Sequence, residues 1–276
     1  MSPTWRSDDV APTRPLSLRD RLRALVRAIG LVLVLLIGVT LTAFLRLAER
    51  AVFGQRRPWT GWITVWVCRI AMVILRIRLV VVGTPMSLTG AHVANHSSWL
   101  DIFVLNAGAP LFFVSKAEVA GWPGIGGLAR LTGTVFVRRA RQEADAQRAL
   151  LEGRLQASHR LLFFPEGTST DGKRVLTFKA TLFASLFSED IAEAHAQPVT
   201  VAYTPPEGYD SRFYAWWGDM EFGPHLIQVL AAKGGGTAQV TWHTPFRVSD
   251  FTDRKQLAAA CEAQVRRAHP HGDREV

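Results

Sequence analysis

The sequence predicts an α/β fold, in which a single sheet is flanked by helices and preceded by a helical hairpin. Beyond residue 78, short apolar, β-rich runs alternate with helix-like stretches, as in layered α/β domains. Two long apolar stretches before residue 78 are typical of helices. The chain has 276 residues, 48% of them hydrophobic and 20% charged, which is enough for one large domain with an appendage. This composition excludes a disordered chain and a collagen-like repeat.

The N-terminal part is predicted to be a flexible leader followed by the hairpin. Residues 1–15 are polar and contain three prolines, so we expect them to be a flexible leader. Residues 28–45 carry no charge, and a helix over them would be about 27 Å long, slightly shorter than the ~30 Å hydrocarbon core of a bilayer. Residues 58–75 form the second apolar stretch. Three tryptophans lie on one face of it, and tryptophan favours the bilayer interface.

The net charge of the chain lies entirely in this N-terminal part. Residues 1–78 hold 13 arginines, no lysine and four acidic residues, a net charge of +9 that equals the total for the chain. A nucleic-acid-binding protein would carry its positive field on the folded domain. Here the field lies beside the apolar stretches, where anionic lipids attract it. We therefore expect residues 16–78 to associate with a membrane, and we expect no nucleic-acid partner.

The sequence leaves two arrangements of the hairpin open. Arginines flank residues 28–45 on both sides, so the positive-inside rule assigns no orientation. We favour a hairpin that lies in one leaflet, with all its arginines at the same anionic face. The alternative is a single membrane span by residues 28–45. A buried soluble hairpin is less favoured, because soluble helices rarely run so long without a charge.

Residues 79–276 are predicted to form the second domain. We predict strands at residues 79–82, 91–94, 111–115, 134–137, 160–164, 198–203 and 238–242, and helices at residues 99–106, 142–158, 176–187 and 254–268. Residues 124–129 loosely match a dinucleotide-binding pattern, but no strand runs directly into them, so we predict a turn. Cys68 and Cys261 show no spacing typical of disulfides or zinc ligands, so we expect a reducing compartment and no metal.

A histidine and an aspartate lie where a predicted strand meets a predicted helix. His96 follows the strand at residues 91–94, and Asp101 comes five positions later. Open α/β sheets bind ligands at the carboxyl edge of their strands. The aspartate can turn back to one imidazole nitrogen and leave the other free to take a proton. The pair indicates a general base with its orienting carboxylate; a polar pair that caps a helix would show the same pattern.

Tandem arginines follow another predicted strand. Gly133 precedes the strand at residues 134–137, and Arg138 and Arg139 follow it. Guanidinium groups bind phosphate or carboxylate through two parallel hydrogen bonds, so these arginines are candidates for an anion site. A solvated cluster of surface charges is the alternative interpretation.

A turn rich in glycine and hydroxyl groups follows the predicted strand at residues 160–164. Its chemistry-bearing residues are Glu166, Gly167 and Thr168. Glycine lets a ligand approach the backbone closely, and the amides of such a turn can bind an anion. The turn is therefore a candidate binding segment.

Taken in order, these segments resemble the four sequence blocks of the glycerolipid acyltransferases, the lysophosphatidate acyltransferase-like family. The blocks are His-x4-Asp, Gly-x2-Phe-x2-Arg, Phe-Pro-Glu-Gly-Thr and, at residues 197–203, Gln-Pro-Val-Thr-Val-Ala-Tyr. The resemblance covers roughly residues 80–205. It implies an enzyme that transfers a fatty acyl group from a thioester of acyl carrier protein or coenzyme A to the hydroxyl of a lyso-lipid, without a resident cofactor.

The resemblance also implies roles for individual residues. His96 would be the general base and Asp101 its partner. Acceptor binding and positioning would fall to residues of the second and third blocks, namely Gly133, Arg138, Arg139, Glu166, Gly167 and Thr168. Residues 79–276 would then be the catalytic domain, facing the cytoplasm at the inner membrane.

One departure from the family pattern bears on the acceptor. Many members have an arginine after Glu-Gly-Thr, whereas this chain has Ser169, so a cation that would contact phosphate is missing. The run Glu-Gly-Thr-Ser-Thr-Asp-Gly-Lys-Arg resembles the branch of lyso-ornithine lipid acyltransferases, whose acceptor carries a carboxylate. We therefore expect lyso-ornithine lipid, lysophosphatidate or both as acceptors. A catalytically inactive lipid-binding protein of the same fold is the alternative from another functional class.

Overall fold

The structure is a computed structural model, and it describes residues 4–6, 13–122, 124–138, 144–188, 191 and 193–272. Over these residues strands alternate with helices, and the α/β prediction with its helical hairpin is confirmed. One mixed sheet forms the centre of the fold, and helices pack against it.

The hairpin consists of α1 (Leu18–Phe53) and α2 (Thr60–Leu75). Ser17 begins α1 with a capping box, in which its hydroxyl and the carboxylate of Asp20 each accept from the other's backbone amide. With 36 residues, α1 is about 54 Å long and extends well beyond the predicted residues 28–45 at both ends. The two helices lie close together at Gly38, where a Cβ would overlap a methyl group of Val67.

The sheet contains all seven predicted strands and one short additional strand. The strands are β1 (Ile77–Val82), β2 (Gly90–Ala94), β3 (Phe112–Lys116), β4 (Val135–Val137), β5 (Leu161–Phe163), β6 (His195–Thr204), β7 (Gly236–Trp242) and β8 (Phe246–Arg247). Their order across the sheet is β1-β7-β6-β2-β5-β3-β4, and β8 pairs with β6. The five strands from β6 to β4 run parallel, so their carboxyl ends meet at one edge.

After the hairpin, the described residues form five further α-helices: α3 (Asp101–Gly108), α4 (Ile125–Thr132), α5 (Ala144–Gln156), α6 (Phe222–Ala231) and α7 (Arg254–Ala268). The predicted turn at residues 124–129 is wrong, because these residues begin α4. Gly126 packs directly on the carbonyl of Ala120, where a Cβ would not fit. The sequence did not indicate α6, whose first turn contains proline; proline is tolerated there because that turn needs no intrahelical donor.

The predicted helix at residues 176–187 is also wrong. Only Leu182–Phe187 is helical, and it forms a 3-10 helix. The backbone amides upstream are bound elsewhere, since that of Phe178 donates to the carboxylate of Glu262 at 2.8 Å and that of Lys179 to the carbonyl of Pro165 at 3.0 Å. These tertiary hydrogen bonds replace the helical ones.

Arginines at the start of α1 bind the end of α6. Arg27 is buried, and its Nη1 donates to the carbonyls of Leu230 at 2.9 Å and Ala232 at 3.0 Å. Arg23 donates to the carbonyl of Ala231 at 2.6 Å. The last carbonyls of a helix have no intrahelical donor, so these guanidinium groups satisfy them.

Arginines at the other end of the hairpin stabilise its turn. Arg46 bonds the carboxylate of Glu49 at 3.1 Å and two carbonyls of the connector between α1 and α2. Arg57 donates to the carbonyl of Leu131 in α4 at 2.6 Å. The expectation that all the arginines lie at one anionic face is therefore wrong, because several of them bind protein carbonyls at opposite ends of the hairpin.

The hairpin exposes a long apolar surface. Within the described residues, α1 is the one helix that is long and apolar enough to cross a membrane. The exposed side chains recur every three or four residues along α1 and α2, and include Leu22, Leu25, Ile29, Val32, Leu36, Phe44, Leu47, Trp62, Trp66 and Val73. Soluble monomers rarely expose so large a contiguous apolar surface. The surface suits association with a membrane.

Candidate active site

A histidine–aspartate pair lies where β2 leads into α3. His96 follows the end of β2 by two residues, and Asp101 is the first residue of α3. Nδ1 of His96 lies 2.7 Å from Oδ2 of Asp101. The aspartate is fully buried, whereas the histidine side chain is 21% exposed. Among the described residues, none forms a hydrogen bond with Nε2 of His96, so this nitrogen is open to a reactant.

Asp101 is surrounded by hydrogen-bond donors. Its Oδ2 also accepts from the backbone amides of Ser97 at 2.9 Å and Ser98 at 3.1 Å, and its Oδ1 accepts from the hydroxyl of Tyr203 at 2.6 Å. A buried carboxylate requires such donors to offset its lost hydration. With Nδ1–H donating to Asp101, Nε2 of a neutral imidazole carries the lone pair.

The loop after β5 holds the backbone of His96. Its amide donates to Oε1 of Glu166 at 3.1 Å, and its carbonyl accepts from the amide of Thr170 at 3.0 Å. The imidazole stacks on the ring of Phe164 at a centroid distance of 4.1 Å. Glu166 is buried, and desolvation raises the pKa of its carboxyl well above the ordinary value of 4.5. Its Oε2 has no hydrogen-bond partner among the described residues. The structure therefore places Glu166 beneath the histidine backbone.

Gly167 and Thr168 continue this loop. Gly167 adopts a positive φ of 75°, and its amide closes the turn on the carbonyl of Phe164. The hydroxyl of Thr168 accepts from the backbone amide of Trp5 at 3.3 Å. The ring of Trp5 lies 4.8 Å below the guanidinium of Arg174. Part of the predicted flexible leader thus contacts the loop beside the histidine, a contact that the sequence did not indicate.

The second block is divided between the two edges of the sheet. Gly133 follows α4 with a φ of 92°, where a Cβ would meet the ring of Phe112 and the guanidinium of Arg57; it therefore lies at the amino end of β4, away from His96. Arg138 is exposed at the carboxyl end of β4. Since β4 is three strands from β2, it lies about 14 Å across the same edge. Arg139 falls outside the described residues.

The structure thus brings His96, Asp101, Glu166, Gly167 and Thr168 together at one edge of the sheet. Sequence reasoning assigned no role to Tyr203 or Phe164, although both belong to the quoted blocks. The position of each at the carboxyl end of a parallel strand was the available signal.

Comparisons with known proteins identify the family of the chain. Residues 89–202 match the family model described as Acyltransferase. The chain is 56% identical over 265 residues to a lyso-ornithine lipid O-acyltransferase from Rhodobacter capsulatus, covering 96% of each protein. It is 40% identical over 194 residues to a lyso-ornithine lipid O-acyltransferase from Brucella abortus, covering 67% of this chain and 71% of that protein.

The fold is also similar to a solved structure. The crystal structure of the 1-acyl-sn-glycerophosphate (LPA) acyltransferase PlsC from Thermotoga maritima matches with a TM-score of 0.64 at 20% identity, covering 90% of this chain and 95% of that one. At this identity the solved structure shows the fold, and the near full-length relative from Rhodobacter capsulatus shows the family. The chain belongs to the glycerolipid acyltransferase family and is an acyltransferase.

Proposed function

We propose that the chain transfers a fatty acyl group from a thioester to the hydroxyl of a lyso-lipid, with His96 as the general base and lyso-ornithine lipid as the main acceptor. The observation that carries this proposal is the 2.7 Å contact between Nδ1 of His96 and Asp101, which leaves Nε2 open at the carboxyl edge of the sheet. The acceptor follows from relatives that share most of the chain length and are named for this activity.

In the proposed step, the hydroxyl oxygen of the acceptor attacks the carbonyl carbon of the thioester. As the new C–O bond forms, the hydroxyl proton passes to Nε2 of His96. The C–S bond then breaks, and the departing thiolate takes the proton from the imidazolium. Asp101 keeps the imidazole in the correct tautomer and stabilises its charge. A positioned base of this kind typically contributes about 10²- to 10⁴-fold in rate.

The donor is proposed to be a thioester of acyl carrier protein or coenzyme A. The lipid hydroxyl is itself the nucleophile, so the reaction needs no acyl-enzyme intermediate and no resident cofactor. The side chain of His96 is partly exposed, which suits access by a large donor.

Arg138 and Arg139 are proposed to contact the anionic head of the acceptor. Both follow β4 in the sequence, and Arg138 is exposed at the carboxyl end of that strand, at the edge that bears His96. Lyso-ornithine lipid offers a carboxylate, which guanidinium groups bind well. Ser169 stands where many family members have an arginine, so the third block lacks a positive charge that would bind a phosphate. Replacement of Arg139 by alanine should raise the acceptor KM; an unchanged KM would place the head group elsewhere.

Residues 16–78 are proposed to be a membrane element that lies in one leaflet at the cytoplasmic face of the inner membrane, with residues 79–276 as the catalytic domain. The contacts of α1 support this. Arg27 near its start binds the end of α6, and Val39 and Thr42 near its middle line a groove with Leu128 of α4. A helix in contact with the same domain at both places cannot cross a bilayer without drawing that domain into the hydrocarbon. Diffusion in the leaflet would then deliver the lipid acceptor.

Purified enzyme offered lyso-ornithine lipid and lysophosphatidate in parallel, with thioesters of acyl carrier protein and of coenzyme A, tests the acceptor and the donor. His96→Ala should abolish transfer and leave vesicle binding unchanged. His195→Ala is the matched control, because His195 lies at the amino end of β6, on the opposite edge of the sheet, and should retain activity. Full activity of His96→Ala would refute the assignment of the base.

A further inference from the structure

The hydroxyl of Tyr203 contacts the side of Asp101 that faces away from the histidine. It donates to Oδ1 at 2.6 Å, while His96 and the amides of Ser97 and Ser98 share Oδ2. The contact joins residues that are 102 positions apart. The sheet register explains it: Ala94, the last residue of β2, pairs with Val199, so β6 continues past β2 and carries Tyr203 to the turn that holds the pair.

We propose that Tyr203 is a positioning residue for the acyl-transfer reaction, fixing the carboxylate of Asp101 so that Oδ2 faces Nδ1 of His96. This inference rests on the proposed function, since it assumes that the pair provides the base. Among the described residues, three donors contact Oδ2 and the hydroxyl of Tyr203 alone contacts Oδ1, so this hydroxyl fixes the second oxygen of the carboxylate. Without it, a buried carboxylate oxygen would lack a donor.

The surroundings of Tyr203 keep it a donor. Desolvation, together with the charge of Asp101, raises the pKa of its hydroxyl well above the ordinary value of 10, so it remains protonated throughout the working range of the enzyme. Its ring packs against that of Tyr214 at a centroid distance of 5.7 Å. This packing involves the ring alone, so a phenylalanine can preserve it.

The charged and titratable groups around the pair come from several elements. Glu166 reaches the backbone of His96 from the loop after β5, and Tyr214 lies beside Tyr203. Farther out, the charge of Arg266 of α7 partly offsets the rise in the pKa of Glu166, and the charge of Arg27 of α1 does the same for the pKa of Tyr214. Tyr203→Phe leaves these groups in place and removes one donor from Asp101. The carboxylate is then no longer fixed in the orientation that holds the neutral imidazole for reaction, which lowers kcat. It is also less well solvated, so it attracts the protonated imidazole more strongly, which raises the pH at which the histidine loses its proton.

The test compares Tyr203→Phe with Tyr214→Phe. The second variant also removes the hydroxyl of a buried tyrosine, but that hydroxyl lies near the backbone of Gly236. Tyr203→Phe should lower kcat about 10- to 100-fold, the range expected for one hydrogen bond to a charged group, and leave the acceptor KM within about twofold. The acidic limb of its pH–rate profile should move to higher pH. Tyr214→Phe should change neither kcat nor the profile. A Tyr203→Phe enzyme with wild-type kcat and an unmoved profile would overturn the proposal.

Two further measurements separate positioning from a structural effect. In an Asp101→Ala background, Tyr203→Phe should cost less than about twofold, because its route to the histidine is already lost. An equal cost in both backgrounds would overturn the proposal. Site-specific 3-fluorotyrosine at position 203 preserves the packing and strengthens the donor, so the acidic limb should move to lower pH; a shift to higher pH would contradict the inference. Full activity of Asp101→Ala itself would refute the proposed base as well, which distinguishes the two failures.

Discussion

Asp101→Asn isolates the charge of the active-site carboxylate. Asparagine keeps the shape of aspartate, but one oxygen becomes an amide NH₂ that donates and cannot accept. At the Oδ2 position this group would face three donors, from His96, Ser97 and Ser98. At the Oδ1 position it would face only the hydroxyl of Tyr203, which can turn to accept. We therefore expect the amide to turn toward Tyr203 and leave the hydrogen bond to Nδ1 in place, without the negative charge.

The size of the effect follows from the geometry of the pair. Nδ1 and Oδ2 are 2.7 Å apart, so the centres of charge of imidazolium and carboxylate are separated by about 4 Å. At an effective dielectric constant of about 20, their attraction is about 4 kcal/mol, and the imidazolium forms only as the proton is taken. Loss of this term corresponds to a fall in kcat of about 10³-fold.

The measurement is the initial rate of acyl transfer over a range of acceptor concentrations and pH, together with the melting temperature. We expect a large fall in kcat with little change in KM, since the charge matters chiefly in the transition state. Asp219→Asn serves as the control, because Asp219 is exposed and pairs with Arg6. A folded Asp101→Asn enzyme that retains more than about a tenth of the wild-type kcat would refute the electrostatic reasoning.

Three further substitutions test the packing of the site and of the hairpin. Burial raises the pKa of the Glu166 carboxyl above 4.5, so the stability that its protonated form contributes is fully present below pH 4.5 and is lost as the pH rises through the raised value. The melting temperature of Glu166→Gln should therefore rise relative to that of wild type between pH 5 and 7.5. A difference in melting temperature that does not change with pH would argue for an ionised carboxylate. Gly38→Val should destabilise the protein by about 1–3 kcal/mol in chemical denaturation, since its side chain would overlap Val67, whereas Gly153→Ala, with no atom within 4 Å, should not. Arg27→Met should cost about 1.5–3 kcal/mol and expose α1 to protease, because two carbonyls lose their donor; equal protease resistance would show that α1 docks without it.

Local patterns were sufficient for most of the architecture. The buried parallel strands read as short apolar runs, and each of the seven predicted strands overlaps an observed one. Where the predicted helix at residues 176–187 was wrong, a distant partner decided the structure, because the backbone amide of Phe178 donates to Glu262 of α7. Local propensity carries no information about such partners.

The candidate site divides in the same way. The spacing of His96 and Asp101 is a local property, because a strand end, a tight turn and a helix start suffice to bring the two side chains together. The roles of other groups depend on strand order and register. Tyr203 reaches Asp101 only because β6 lies beside β2 and extends past it, and Glu166 lies beneath His96 only because β5 is the neighbour of β2 on the other side.

The sequence by itself therefore determined the α/β class, the hairpin, the family and the histidine–aspartate pair, because each depends on residues close together along the chain or on their order. Only the tertiary structure decided which arginines bind protein carbonyls, which carboxyl group is desolvated and which tyrosine supports the aspartate. Those properties arise from contacts between segments that lie far apart in the chain, and burial and hydrogen bonding are defined only once these segments have packed.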